Sequence, residues 1–121
     1  MAISPADFYQ LAGILQRQSK GGDDAALRSC ISRAYYSAFL GARDARQLSS
    51  TGRTGHKDVI SHYRKVNNPA YTAIANSLED LKDLREKADY DVHLNCTTKD
   101  GTDAMTQASK VKKLLNQVLP P

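Results

Sequence analysis

The sequence predicts an all-α protein, built as an antiparallel bundle of four or five helices. Apolar residues recur at spacings of three and four in five separate segments, which is typical of helices with one buried side. No segment alternates apolar and polar residues with β-branched enrichment, as a half-buried strand would. Short polar connections separate the five segments, so consecutive helices are expected to pack side by side in opposite directions.

The composition is that of a folded globular protein. With 121 residues, of which 40% are hydrophobic and 25% charged, residues 1–121 are predicted to form a single helical domain. The net charge of +4 mildly favours a polyanionic partner. Cys30 and Cys96 are far apart and lack metal-ligand spacing, which fits a reducing compartment. The chain shows no signal-peptide pattern and no apolar run of membrane-spanning length, so a cytoplasmic protein without a membrane partner is expected.

The first two helices are predicted from their starts and from their apolar stripes. Ser4, Pro5 and Asp7 predict a helix start, with an N-cap, a proline in the first turn and an acid three residues later. Asp23 or Asp24 is expected to cap the second and longest helix. The residues expected to be buried are Phe8, Leu11, Ile14 and Leu15 in the first helix, and Leu27, Ile31, Ala34, Tyr35, Ala38, Phe39 and Ala42 in the second.

Two further helices follow a polar, glycine-bearing segment. A short helix is predicted over residues 56–66, with Val59, Ile60 and Tyr63 turned inward. A long one is predicted over residues 69–93, where Asn68 supplies the N-cap and a proline occupies the first turn. Its buried stripe is expected to contain Ile74, Leu78, Leu81 and Ala88.

The last helix is predicted to follow a loop over residues 95–101. Asp100 or Thr102 is expected to cap it, since both residue types accept hydrogen bonds from the free backbone N–H groups of a first turn. Its apolar positions are Met105, Ala108, Val111, Leu114, Leu115 and Val118.

The end of the fourth predicted helix carries the candidate catalytic residues, which are Arg85, Asp89 and His93. Arg85 and Asp89 are four residues apart, so they lie on one side of the helix at the border of its buried stripe. A guanidinium can bind phosphate oxygens in a bidentate manner, and a histidine can transfer a proton near neutral pH. The same spacing also fits a structural ion pair between Arg85 and Asp89.

The distance between Arg85 and His93 limits this hypothesis. On an unbroken helix the two residues would share a side but lie about 12 Å apart along the axis. Both could reach one phosphate if the helix ended near Tyr90, or if a twofold dimer brought residues of a second copy opposite them.

Four other residues are candidates for RNA binding or for an interface. Tyr36 lies off the main stripe of the second helix, whereas Tyr35 is expected to pack in the core. Arg33 belongs to a series of basic residues that could follow a phosphate backbone. Tyr90 is a candidate interface aromatic, and His56 can serve in capping, in packing or in proton transfer. The sequence holds no metal-ligand cluster and no glycine-rich phosphate loop, so neither a metal nor a cofactor is predicted.

Three segments together resemble the HEPN superfamily: SRAYYSAFLGARDA (residues 32–45), GHKDVISHYRK (residues 55–65) and LREKADYD (residues 84–91). The resemblance is to its compact bacterial and archaeal branch, with RAYYxAF, KH and RxxADYD-like motifs. It implies a HEPN-type helical bundle that is usually homodimeric and often encoded beside a minimal nucleotidyltransferase. Many members are metal-independent endoribonucleases of toxin–antitoxin or antiviral defence systems, and others are non-catalytic modules that bind RNA, nucleotides or protein partners.

The ribonuclease signature of this family is an arginine followed, after four to six intervening residues, by a histidine. Here seven residues lie between Arg85 and His93, one more than the signature allows. The resemblance therefore implies two alternatives. One is a protein that binds or cleaves RNA, and the other is a non-catalytic nucleotide-binding or interaction module that partners a nucleotidyltransferase. A purely structural helical bundle is a third hypothesis.

Overall fold

The computed structural model describes residues 4–19, 24–48, 55–91, 93 and 95–118. These residues form five α-helices: α1 (Pro5–Gln18), α2 (Asp24–Ala45), α3 (Gly55–Lys65), α4 (Pro69–Tyr90) and α5 (Thr98–Val118). The described ranges contain no strand, so the predicted all-α helical bundle is confirmed. None of the helices in these ranges is both long and apolar enough to cross a membrane.

Helix α2 lies at the centre of the bundle and packs against α1, α4 and α5, while α3 packs mainly against α4. Contacts of Tyr35 with His56 and of Ala42 with Tyr63 show that α3 runs parallel to α2. Helix α5 runs in the same direction, and α1 and α4 run in the other. The expectation that consecutive helices run in opposite directions is therefore wrong for α2 and α3.

All seven positions predicted for the apolar stripe of α2 are buried, and Cys30 beside them is fully buried. Alanines in this stripe let neighbouring helices approach closely. Asp24 is the first residue of α2, and Asp23, the other predicted cap, lies outside the described residues.

The predicted buried stripe of α1 is wrong at two of its four positions. Leu11 is 41% exposed and Ile14 is 44% exposed, whereas Ala12 is completely buried. The physical reason is that the small side chain of Ala12 lets α1 lie closer to α2 than a row of large side chains would. Tyr9 and Leu15 consequently pack against the core beside Ala12.

Helix α4 ends at Tyr90, three residues before its predicted end at His93. The last carbonyl groups of a helix have no partners within the helix and need other donors. Arg28 of α2 supplies them, and its Nε is held by Asp24 at 2.7 Å. Its Nη1 donates to the backbone carbonyls of Lys87 (3.2 Å), Ala88 (3.0 Å) and Asp91 (3.3 Å). This contact fixes the end of α4 against the start of α2.

Helix α5 begins at Thr98, so the predicted loop over residues 95–101 is wrong in its second half. Thr97 and Asp100 form a reciprocal capping box: the Asp100 amide donates to Thr97 Oγ1 at 3.1 Å, and the Thr97 amide donates to Asp100 Oδ2 at 3.0 Å. Gly101 therefore lies inside the helix and is buried. A Cβ atom at this position would lie 2.6 Å from Leu27 Cδ1, so a side chain here would displace the end of Leu27.

Replacing Gly101 with alanine is expected to lower the free energy of unfolding by about 1–3 kcal/mol, because the added methyl group displaces the buried side chain of Leu27. The matched control is Gly13→Ala on α1, where the nearest atoms would lie at 3.7 and 3.9 Å. That change fits without displacement and is expected to stabilise the protein by up to about 1 kcal/mol through helix propensity. Urea denaturation of both variants measures the difference. Equal stabilisation by the two changes would contradict the close contact at Gly101.

Candidate functional site

The side chain of Arg85 joins α4 to α2 near the end of α4. Its Nε donates to Asp89 Oδ2 at 2.9 Å, and its Nη2 donates to the phenol oxygens of Tyr36 at 3.0 Å and Tyr90 at 3.1 Å. The hydroxyl of Ser32 donates to the same Asp89 oxygen at 3.4 Å. We call these five residues, Arg85, Asp89, Tyr36, Tyr90 and Ser32, the Arg85 cluster. It unites two residues predicted to be catalytic with two predicted to bind RNA or form an interface.

The Arg85 cluster is partly buried, and its aromatic rings surround the guanidinium. The side chain of Arg85 is 16% exposed and that of Asp89 is 28% exposed. Arg85 Cζ lies 5.8 Å from the ring centre of Tyr35, 5.4 Å from that of Tyr36 and 5.2 Å from that of Tyr90. These distances allow favourable cation–π interactions. Burial opposes the charge on Arg85, but Tyr36, Tyr90 and Asp89 favour it, and the net effect raises the pKa of the guanidinium.

His56 is the histidine that packs beside the Arg85 cluster. Its ring stacks on Phe39 with ring centres 4.1 Å apart and on Tyr35 with ring centres 5.7 Å apart. Its ring edge meets Tyr36 at 6.1 Å. Tyr36 therefore contacts both His56 and Arg85, although the two lie on different helices.

The surroundings of His56 favour its neutral form. Burial lowers the pKa of His56, and the positive charges of Arg85 and Lys82 lower it further. Its Nδ1 is hydrogen-bonded to the hydroxyl of Tyr35, whose pKa is raised by burial. Tyr35 thus keeps its proton, and the donor in this hydrogen bond depends on the tautomer of His56: either the hydroxyl donates to Nδ1, or Nδ1–H donates to the hydroxyl oxygen.

The structure does not join His93 to the other two predicted catalytic residues. His93 lies in the turn beyond α4 and is exposed. Within the described residues, no hydrogen bond links it to Arg85 or Asp89. Arg85 and His93 were expected to reach a single phosphate if α4 ended near Tyr90 or if a twofold dimer formed. The first condition is met, since α4 ends at Tyr90. The exposed position of His93 also leaves it accessible to a second copy of the chain.

Arg33 and Phe8 extend the site from α2 to α1. The guanidinium of Arg33 lies 5.9 Å from the ring centre of Phe8, and the Phe8 and Tyr36 rings lie 6.3 Å apart. Basic and aromatic side chains therefore follow one another across three helices, in the order Arg33, Phe8, Tyr36, Arg85 and Tyr90. We call this surface the aromatic–basic strip, made of Phe8, Arg33, Tyr36, Arg85 and Tyr90. The sequence prediction missed Phe8, which it assigned to the buried stripe of α1.

The partly buried Arg85 cluster lines none of the main cavities in the described part of the chain. Five of these cavities have volumes from about 240 to 490 Å³, and no member of the cluster is among their lining residues. Within the same residues, no group of three histidine, cysteine, aspartate or glutamate side chains is placed to hold a metal ion. The geometry suits an extended ligand laid across the surface better than a small molecule enclosed by one chain.

Comparisons of the chain with protein-family models, with curated proteins and with solved structures found no significant match. The interpretation of the site therefore depends on its residues and their geometry.

The free energy of unfolding is expected to fall as the pH drops below about 6.5, the ordinary pKa of histidine, because the native state holds His56 neutral. In that range the unfolded chain binds the proton more readily than the folded one, which lowers stability. Above that pH the contribution of His56 is constant. NMR titration of the His56 ring is expected to give a midpoint below 6.5, with a flatter stability profile for His56→Gln. A midpoint at or above 6.5 would contradict the buried, Arg85-facing position of this ring.

Proposed function

We propose that this chain is an RNA-binding protein of HEPN type that acts as a homodimer in a toxin–antitoxin or antiviral defence system. Metal-independent endoribonuclease activity is its candidate reaction. The observation that carries the proposal is the aromatic–basic strip, in which two guanidinium groups and three aromatic rings follow one another in contact over three helices, in the order Arg33, Phe8, Tyr36, Arg85 and Tyr90. Such a mixed surface suits a single-stranded nucleic acid, whose bases stack on aromatic rings while its phosphates pair with cations.

Arg85 is the proposed phosphate contact. Its Nε and Nη2 are engaged by the Arg85 cluster, but Nη1 has no hydrogen-bond partner within the described residues. A phosphate oxygen can therefore bind Nη1 without disrupting the cluster. Asp89 and the two tyrosines hold the guanidinium in a fixed position, which reduces the entropy lost when the ligand binds.

Tyr90 is the proposed stacking platform for a base. It is 66% exposed, which is unusual for a large aromatic side chain, and it lies directly beside Arg85. A base stacked on Tyr90 would place an adjacent phosphate near Arg85. Phe8 and Arg33 would then bind the next part of the strand.

Metal-free RNA cleavage uses the 2′-hydroxyl of the substrate as its nucleophile. The proton of this hydroxyl must be taken up, the leaving 5′-oxygen must be protonated, and a cation must stabilise the charge on the phosphorane. Arg85 supplies the cation, and Asp89 holds it in place. His56 is the proposed proton acceptor within one chain, in the tautomer whose Nδ1–H donates to Tyr35 and leaves Nε2 free, and the imidazolium so formed then gives a proton to the 5′-oxygen. His93 of a second copy is the proposed alternative for the same two transfers.

The homodimer is proposed from the exposed apolar side chains of α1. Leu11, Ile14 and Tyr90 are the exposed large hydrophobic residues of the described chain. Leu11 and Ile14 follow Phe8 at successive spacings of three, so this part of α1 continues from the end of the aromatic–basic strip. A second copy that covers Leu11 and Ile14 would bring two strips together, which suits a twofold interface.

The test is incubation of the purified protein with fluorescently labelled single-stranded RNA in EDTA, followed by anisotropy and by gel analysis of the products. We expect salt-sensitive binding, and cleavage that His56→Gln or His93→Gln slows by about 10²–10⁴-fold if that histidine transfers the proton. RNA that is neither bound at low salt nor cut would overturn the proposal.

A second candidate function is a non-catalytic nucleotide-binding or interaction module that partners a minimal nucleotidyltransferase. The internal hydrogen bonds of Arg85, which engage its Nε and Nη2 within one chain, favour a non-catalytic role. RNA or nucleotide binding that raises the melting temperature without cleavage would support it. A melting temperature that neither ligand changes would support a purely structural bundle.

A further inference from the structure

A long groove runs between α1 and α5, and it shares no residue with the Arg85 cluster. The two helices are antiparallel and both pack on α2, but they barely contact each other. Three cavities of about 410, 460 and 490 Å³ follow their junction, and Tyr9 lines all three. Met105 lines the second and the third. The three cavities therefore form one continuous surface, which we call the α1–α5 groove.

The floor of the α1–α5 groove is mainly apolar in its 410 Å³ cavity, where the side chains of α2 beneath it are small. The 410 Å³ cavity is bounded on α2 by Ser37, Ala38, Gly41 and Ala45. Its wall on α5 consists mainly of Ala108, Val111 and Leu115. Small residues on one side and branched residues on the other leave room for an inserted apolar side chain.

The rim of the α1–α5 groove carries only positive charge. The linings of the three cavities contain Arg17, Lys110, Lys112 and Lys113 but no aspartate or glutamate. Lys112 Nζ lies 5.9 Å from the ring centre of Tyr9, at the point common to all three cavities. An apolar floor with a basic rim is complementary to a partner that is apolar along its centre and acidic at its sides.

The shape of the groove favours a helix as its occupant. Both walls are α-helices whose backbone hydrogen bonds are internal, so no free strand edge is present to pair with an extended peptide. The wall from Pro5 to Arg17 is about 18 Å long, which matches three to four turns of helix. The phosphates of a nucleic acid could pair with the cations at the rim, but the apolar floor would have no matching apolar group in that ligand.

We propose that the α1–α5 groove docks an amphipathic helix of a partner protein, whose apolar side enters the groove and whose flanks carry aspartate and glutamate. Side chains spaced by three and four residues would enter the cavities on either side of Tyr9. The carboxylates would pair with the lysines of α5. This surface shares no residue with the aromatic–basic strip, so the chain could bind both ligands at once. It meets the proposed dimer surface at Ile14, which lines its third cavity.

The test is a displayed library of helical peptides of about 18 residues, with leucines fixed at helical spacing and with the flanking positions randomised among Glu, Lys, Ser and Gln. Selection on the folded full chain is expected to enrich glutamate at the flanks. The selected peptide is expected to bind Lys110→Glu/Lys113→Glu roughly tenfold or more weakly than wild type. The control, Lys57→Glu/Lys65→Glu, changes two equally exposed lysines of α3 and is expected to leave the affinity unchanged.

NMR spectra of the complex are expected to show shifts at Tyr9 and Met105 and none at Arg85. The proposal is overturned if no peptide is enriched, if the flanks become basic, or if both double variants lose the same affinity. It is also overturned if Lys110→Glu/Lys113→Glu dissociates a dimer in sedimentation experiments, since a second copy would then occupy the groove. Displacement of the peptide by single-stranded RNA would likewise assign the groove to nucleic acid. None of these outcomes depends on RNA binding at the Arg85 cluster.

Discussion

Arg85→Ala is expected to weaken the binding of single-stranded RNA by roughly 10–100-fold, because it removes about 1.5–3 kcal/mol of charge-assisted hydrogen bonding. Arg85→Lys keeps the positive charge but loses the planar fork that the Arg85 cluster holds in place, so an intermediate loss is expected. If the chain cleaves RNA, the alanine variant is also expected to slow cleavage by about 10²–10³-fold, since the developing phosphorane charge loses its cation. Anisotropy and single-turnover cleavage at one fixed salt concentration measure both effects.

The control for Arg85→Ala is Lys65→Ala, which removes one exposed positive charge from α3. This change is expected to weaken RNA binding only slightly, and the difference in affinity is expected to shrink as the salt concentration rises. If Arg85→Ala bound RNA as well as wild type while its melting temperature fell, Arg85 would be a structural ion-pair residue. That outcome would remove the main support for the RNA hypothesis.

Leu81→Ala is expected to lower the free energy of unfolding by about 2–5 kcal/mol, because it leaves a cavity in the core. Leu81 is completely buried and lies one turn before Arg85 on α4. RNA affinity measured well below the melting temperature is expected to stay close to that of wild type. Arg85→Ala and Leu81→Ala thus separate function from stability on the same helix.

The matched control for Leu81→Ala is Leu11→Ala, the same substitution at a position that is 41% exposed. Measured at a concentration where the chain is monomeric, it is expected to change stability by no more than about 0.5 kcal/mol. A loss at Leu11 as large as that at Leu81 would show that α1 packs differently from the structure described above.

Part of the candidate site was predictable from the sequence because its members are neighbours on one helix. The spacing of four between Arg85 and Asp89 predicts a contact within α4, and the structure contains that contact. The placement of Tyr36 off the main stripe of α2 is also reflected in its half-buried position. The position of His56 was not predictable, because the aromatic rings that it contacts, Tyr35 and Phe39, belong to another helix, α2.

By itself, the sequence determined the number of helices, the starts of α1 and α4, and the buried side of α2. Helix capping and apolar spacing act over a few residues, so a single segment contains the information. Ser4 and Asp7 form the predicted capping box, and Asn68 caps α4 as expected.

Only the tertiary structure decided the rotation of α1, the end of α4 and the interhelical partners of Arg85. Ala12 and Gly101 set how closely two helices approach, and that distance depends on both partners. Arg28 and Tyr36 reach α4 across more than forty residues of sequence, since Ala88 is 60 positions after Arg28 and Arg85 is 49 positions after Tyr36. Contacts of that range depend on where whole helices come to rest against each other, and no local sequence pattern encodes them.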